Sequence, residues 1–102
     1  MLADMTAAST RGRAPRPARF TFWVDRAGTL GPVLLRYDLR GGGARRGARL
    51  GVDGRWHAST APETLMWLGT GSGESITVEE ARAIAHQLGL GDADLTDPRV
   101  LP

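Results

Sequence analysis

The sequence predicts an α+β fold: a four-stranded antiparallel β-meander packed against one short and one longer C-terminal α-helix. Two patterns carry this prediction. Between residues 19 and 59, apolar and polar residues alternate with a period of two, which is typical of strands that bury one face. From residue 60 onward, apolar residues recur every three or four positions behind helix-capping signals. A chain of 102 residues has room for one domain.

The meander is predicted to run from Arg19 to about Ser59, with its apolar side chains turned toward the helices. The inward-facing residues of the four strands are Phe20, Phe22 and Val24; Val33, Leu35, Tyr37 and Leu39; Ala48, Leu50 and Val52; and Trp56 and Ala58. The Asp53–Gly54 dipeptide is a strong hairpin signal between the last two strands. Glycines at 41–43 and 47 predict another hairpin tip between the second and third strands, with Arg45 and Arg46 at its apex.

The first predicted helix begins after Thr60, with Glu63 completing a capping box and Gly69 ending it. The stretch TGSGES is then predicted to be a loop. A second helix begins after Thr77, where Glu80 closes a capping box, and it ends at Gly89. Its apolar stripe consists of Val78, Ala81, Ile84, Ala85 and Leu88.

The organisation outside these elements is predicted from composition. Residues 1–18 are expected to form a disordered arm, residues 19–90 the single domain, and residues 91–102 an extended C-terminal tail. The absence of cysteine favours a reducing cytoplasm, and the use of arginine for all 13 basic residues is typical of a GC-rich bacterial genome. No apolar run is long enough to cross a membrane.

Charge is distributed unevenly along the chain. Residues 11–55 contain 11 arginines and three aspartates, a net charge of +8, whereas residues 56–102 contain two arginines and seven acids, a net charge of −5. Such asymmetry indicates either a polyanionic partner or mutual attraction between the two halves.

A nucleic-acid-binding surface is one interpretation of the basic half. Guanidinium groups bind phosphates, and an aromatic side chain among them can stack on an unpaired base. If the strands pair as predicted, the outer face and the hairpin tip would present this set together with His57: Arg36, Arg40, Arg45, Arg46, Arg49, Arg55 and Trp23. The layout of strands followed by a packed helix, over residues 19–88, resembles the three-stranded-sheet DNA-binding modules of phage integrase arms and plant AP2 factors. The alternative for the same face is a solvated surface with cross-strand ion pairs.

The favoured interpretation is a small non-enzymatic interaction module that binds another protein or itself. Trp56, Met66 and Trp67 belong to an apolar cluster that would form either core or a partner-binding patch. A small enzyme with a His-based site is the third possibility. Its candidate residues are the two histidines of the sequence, His57 and His86. Their spacing matches no metal motif, and no cofactor or metal is expected.

Overall fold

The computed structural model of the protein describes residues 19–29, 31–40, 46–69 and 71–102. The described residues form an α+β fold, as the sequence predicts. Its elements in chain order are β1 (Phe20–Asp25), β2 (Val33–Asp38), β3 (Gly47–Leu50), β4 (Trp56–Ala58), α1 (Ala61–Leu68), β5 (Gly73–Ile76) and α2 (Val78–Gln87). The predicted disordered arm, residues 1–18, lies outside the described residues.

The sheet has five antiparallel strands in the order β4-β3-β2-β1-β5, one more than the sequence predicts. The first four form the predicted meander. The chain then crosses one face of the sheet as α1 and returns as β5 on the far side of β1, where Phe22 lies opposite Ile76. The prediction of a loop over TGSGES is therefore wrong for its second half. β5 forms because β1 offers it a row of backbone partners.

The two helices lie on opposite faces of the sheet. Residues directly opposite each other in adjacent strands share a face, and Phe22 lies opposite Arg36 while Trp23 lies opposite Leu35. The even-numbered residues of β1 and β2 therefore point toward α2, and the odd-numbered residues point toward α1. The prediction that Leu35 and Tyr37 share a face with Phe22 is wrong.

The larger core lies between the sheet and α2. Its fully or nearly buried residues are Phe20, Phe22, Val24, Leu34, Ala48, Leu50, Trp56, Ala81, Ile84, Ala85 and Leu95. The predicted capping box is present: the Thr77 hydroxyl accepts a hydrogen bond from the N–H of Glu80, whose carboxylate accepts one from the N–H of Thr77. This cap fixes the start of α2 where β5 ends, so the apolar stripe of the helix faces the sheet.

The smaller core lies beneath α1, where Trp23, Leu35 and Tyr37 are packed against Val33, Leu65 and Met66. The capping box predicted at Thr60 is absent, because Thr60 has a helical conformation and its side chain makes no capping bond. The hydroxyl of Ser59 instead accepts a hydrogen bond from the N–H of Ala61 at 3.2 Å.

The β3–β4 hairpin confirms one predicted turn and corrects one predicted core residue. Gly54 has a φ of 76°, the left-handed conformation that favours glycine. β3 ends at Leu50, however, and Val52 lies in the turn with 98% of its surface exposed. Val52 was predicted to face the core, which is wrong because the chain leaves the pleated strand before reaching it.

The C-terminal segment, residues 91–102, is packed onto the domain. Leu95 is 4% exposed and belongs to the larger core. Leu101 pairs in parallel with His57: its N–H donates to Trp56 O at 2.8 Å and its carbonyl accepts from the N–H of Ala58 at 2.7 Å. The segment thus covers the β4 edge of the sheet. No helix in the described ranges is long and apolar enough to cross a membrane.

Candidate interaction surface

Arg36, predicted to lie on an outer nucleic-acid-binding face, is instead a core residue with 0% of its surface exposed. Its guanidinium carbon lies 4.3 Å from the centroid of the Phe20 ring and 4.4 Å from that of Trp56. Its Nη1 donates a 2.8 Å hydrogen bond to the carbonyl oxygen of Leu95. Arg36 is therefore a cation held between two aromatic rings beneath the C-terminal segment, where no external phosphate reaches it.

The electrostatic surroundings of Arg36 link the two differently charged halves of the chain. Burial lowers the pKa of Arg36 to about 10, while the carboxylates of Asp38, Asp97 and Asp94 oppose that shift. Two of these acids come from the C-terminal segment. Part of the charge asymmetry in the sequence is thus mutual attraction within the fold.

Two of the three tryptophans in the predicted sites, Trp23 and Trp56, are also in the interior, with 7% and 2% of their surfaces exposed. Trp23 lies beneath α1, so it is not available for stacking on a base. Trp56 packs against Phe22 and donates from Nε1 to the carbonyl of Asp94 at 3.3 Å. The prediction that Trp23 lies on the outer face is therefore wrong, and Trp56 takes the core position that the sequence allows as one of two alternatives.

The remaining predicted arginines do not form one continuous face. Arg49 is exposed on the α1 side of the sheet, opposite His57, and so lies on the other face from Arg36. Arg40 follows β2, and Arg55 lies in the turn before β4; both are exposed. Arg45 lies outside the described residues. The structure therefore separates the residues that the sequence grouped as a nucleic-acid surface.

Arg46 fixes the base of the β2–β3 hairpin. Its Nε donates to the Asp38 carbonyl and its Nη2 to the Leu39 carbonyl, each at 3.1 Å. Its guanidinium carbon also lies 5.0 Å from the centroid of the Tyr37 ring. These neutral acceptors satisfy hydrogen bonds of Arg46 without cancelling its charge.

The side chain of His57 makes a hydrogen bond with the Asp53 carboxylate, with Nε2 and Oδ2 2.9 Å apart. The N–H of Arg55 and then the His57 side chain lower the pKa of Asp53. A hydrolytic site would also need a nucleophile, but the described contacts of His57 include no hydroxyl.

His86 lies on the exposed side of α2. No group of three metal-binding side chains occurs in the described ranges.

A small cavity of about 180 Å³ lies between the β3–β4 turn and the C-terminal segment. Its lining residues are Gly54, Arg55, Trp56, Asp94, Asp97, Arg99 and Leu101. Arg99 is already paired with Asp97 at 2.8 Å, which lowers the pKa of Asp97 to about 2. The cavity is therefore lined by two arginines and two aspartates, whose charges sum to zero, and it favours neither an anion nor a cation.

Among the residues that the structure describes, the most exposed large apolar side chains outside the turns lie at the end of α1. Trp67 is 68% exposed and Leu68 is 72% exposed. The Trp67 ring makes an edge-to-face contact with Tyr37, with their centroids 6.3 Å apart. Met66, one residue earlier, is half-buried against the smaller core. We call Trp67 and Leu68 the α1 patch.

The sequence indicated part of this patch. Trp67 and Leu68 both belong to the apolar run LMWL, which the sequence predicts to form either core or a partner-binding patch. A helix of two turns cannot bury four consecutive apolar residues on one face, since each residue turns the side chain by about 100°. Helical periodicity therefore indicates that some residues of this run remain exposed.

The chain matches no protein-family model, no curated protein and no solved structure.

Proposed function

We propose that this chain is a non-enzymatic interaction module of the bacterial cytoplasm that binds another protein through the α1 patch. The observation that carries the proposal is the exposure of Trp67, a residue type enriched among the energetically dominant residues of protein interfaces. Leu68 extends the same apolar surface. Isolated exposed apolar residues are common, but a tryptophan adjoining a leucine on one helix end offers a contiguous anchor.

The packing behind the patch supports its role as a pre-formed anchor. Tyr37 is 3% exposed and makes the edge-to-face contact with Trp67. The guanidinium of Arg46 lies over the Tyr37 ring. Arg46 is in turn fixed by its bonds to the carbonyls of Asp38 and Leu39. A side chain held in place before binding loses less conformational entropy on association.

Charge near the patch favours a partner of particular chemistry. Arg49 lies on the same side of the sheet as α1, and the guanidinium of Arg46 lies beside Tyr37 of the smaller core. Neither arginine forms an ion pair with an acid in the described part of the chain. Their charge is complementary to carboxylates on a partner. The partner that fits is a protein segment with large apolar side chains beside aspartate or glutamate.

A displayed random-peptide library selected against the folded protein tests this proposal. Selected peptides should be rich in large apolar residues and acids. Trp67→Ala should weaken their binding by about 30-fold or more, the effect of truncating a dominant interface residue. Val52→Ala is the control, because Val52 is also apolar and is even more exposed than Trp67 but lies in the β3–β4 turn. Peptides that bind Trp67→Ala as tightly as the wild-type chain would refute the proposal.

Fluorescence anisotropy with labelled DNA and RNA at two salt concentrations separates the nucleic-acid alternative. Binding that strengthens at low salt and is lost in Arg46→Ala with Arg49→Ala, but not in Trp67→Ala, would favour that alternative. Absence of binding at low salt is the result that we expect.

A further inference from the structure

The two edges of the sheet differ. The β4 edge is covered by the C-terminal segment, through the hydrogen bonds that Leu101 makes with Trp56 and Ala58. On the opposite edge, no described strand lies beyond β5. A strand edge of this kind presents backbone N–H and C=O groups that can pair with another chain.

The register shows which backbone groups point outward from β5. Arg19 accepts a hydrogen bond from the N–H of Leu39, so the carbonyl of Arg19 points toward β2. Backbone direction alternates along an antiparallel strand, so Phe22 and Val24 bond toward β5. Their partners are Ile76 and Glu74, which therefore bond back to β1. This leaves the backbone groups of Gly73 and Ser75 pointing away from the molecule.

Neither helix is centred over this edge. α2 packs over β1 and β2, and α1 packs over β2 and β3. The charged side chain on the edge strand is Glu74, which is paired with Arg26 at 3.1 Å. No residue in the described ranges therefore pairs with the outer side of this edge, and the charge of Glu74 is neutralised by Arg26.

We propose that a second copy of this chain pairs with the β5 edge, strand against antiparallel strand, about a two-fold axis at Ser75. The axis keeps the faces of the two sheets continuous, so each residue must lie opposite one from the same face. An axis at Ser75 places Ser75 opposite Ser75 and Glu74 opposite Ile76. An axis at Glu74 would place two glutamates directly opposite each other, which is destabilising.

The geometry also predicts how strong this pairing is. The two Ser75 residues exchange a pair of N–H to carbonyl bonds across the axis. Thr77, opposite Gly73 in this register, already directs its N–H to the carboxylate of Glu80 at 2.9 Å. The interface is therefore short, below the area of a stable dimer, and self-association is weak and concentration-dependent.

Analytical ultracentrifugation from about 10 µM to about 1 mM tests the proposal, because this range spans weak dimers. The average mass of the wild-type chain should rise toward that of a dimer. Ser75→Pro should remain monomeric, since it removes an outward N–H and no bond to β1. Ser75→Ala keeps that N–H and should associate like the wild-type chain. A wild-type chain that is monomeric throughout, or dimerisation retained by Ser75→Pro, would overturn the proposal.

NMR dilution of the wild-type chain gives a second measurement that holds even if Ser75→Pro fails to fold. Amide shifts that change with concentration should be concentrated at residues 73–77, and changes concentrated elsewhere would overturn the proposal. Mutation can distinguish the β5 edge from the α1 patch. The Trp67→Ala variant should still self-associate through the β5 edge, whereas its binding to a protein partner through the α1 patch should be lost.

Discussion

At the scale of single residues, Arg36 shows how a cation is accommodated inside an apolar core. Its guanidinium lies between the faces of Phe20 and Trp56, where the ring quadrupoles stabilise positive charge. The Leu95 carbonyl accepts from Nη1, but Nε and Nη2 have no hydrogen-bond partner among the described residues. Buried donors without partners oppose folding. We therefore expect Arg36 to stabilise the fold mainly through the volume that its side chain fills.

Arg36→Ala should therefore lower the free energy of unfolding by about 2–5 kcal/mol, because it opens a cavity between two rings. Arg36→Met should cost much less, since a long apolar side chain fills the same slot and removes the unpaired donors. Urea denaturation of the three proteins measures both differences. If Met destabilises as much as Ala, the charge or the Leu95 hydrogen bond, and not the volume, is what the fold requires.

At the scale of elements, the two helices begin in different ways despite similar sequences. Thr77 precedes α2 in an extended conformation and exchanges side-chain and backbone hydrogen bonds with Glu80. Thr60 precedes α1, also with a glutamate three residues later, yet it has φ −88° and ψ −10° and makes no side-chain cap. A capping box requires an extended cap residue, and Thr60 has a helical backbone conformation instead.

Thr77→Ala should lower the free energy of unfolding by about 1 kcal/mol, the usual cost of losing a cap side chain. Thr60→Ala is the matched control and should have almost no effect, because no side-chain cap is lost. Thermal unfolding followed by circular dichroism compares the two variants. Equal destabilisation by both would show that Thr60 caps α1 in solution.

At the scale of the whole molecule, the C-terminal segment completes the core. Leu95 fills space beside α2, the carbonyls of Asp94 and Leu95 accept bonds from Trp56 and Arg36, and Leu101 pairs with β4. A core in a chain of this size has little apolar area in reserve, so each contributor matters. The folded unit therefore extends past residue 90.

Leu95→Ala should lower the free energy of unfolding by about 2–5 kcal/mol, the range for a large-to-small change in a core. Val52→Ala should leave stability nearly unchanged, because Val52 is 98% exposed. Urea denaturation of both variants is the measurement. If Leu95→Ala proves as stable as Val52→Ala, the C-terminal segment does not hold the core together in solution.

The sequence by itself determined the features that depend on neighbouring residues: the α+β class, the hairpin at Gly54, the capping box of α2 and the apolar character of the run containing Met66 and Trp67. These depend on turn chemistry, caps and periodicity, which are local. Even so, alternation alone could not assign a side to β2, because Leu34 and Leu35 are both apolar and either phase looks plausible.

Only the tertiary structure decided which face each strand shows, where α1 and α2 lie, that residues 73–76 form a strand, and that Arg36 is buried. The physical reason is that these features depend on pairing between distant segments. A strand with one apolar residue, such as β5, gives little local signal and forms because β1 supplies its hydrogen bonds. Arg36 is buried because its neighbours in β1, β4 and the C-terminal segment surround it.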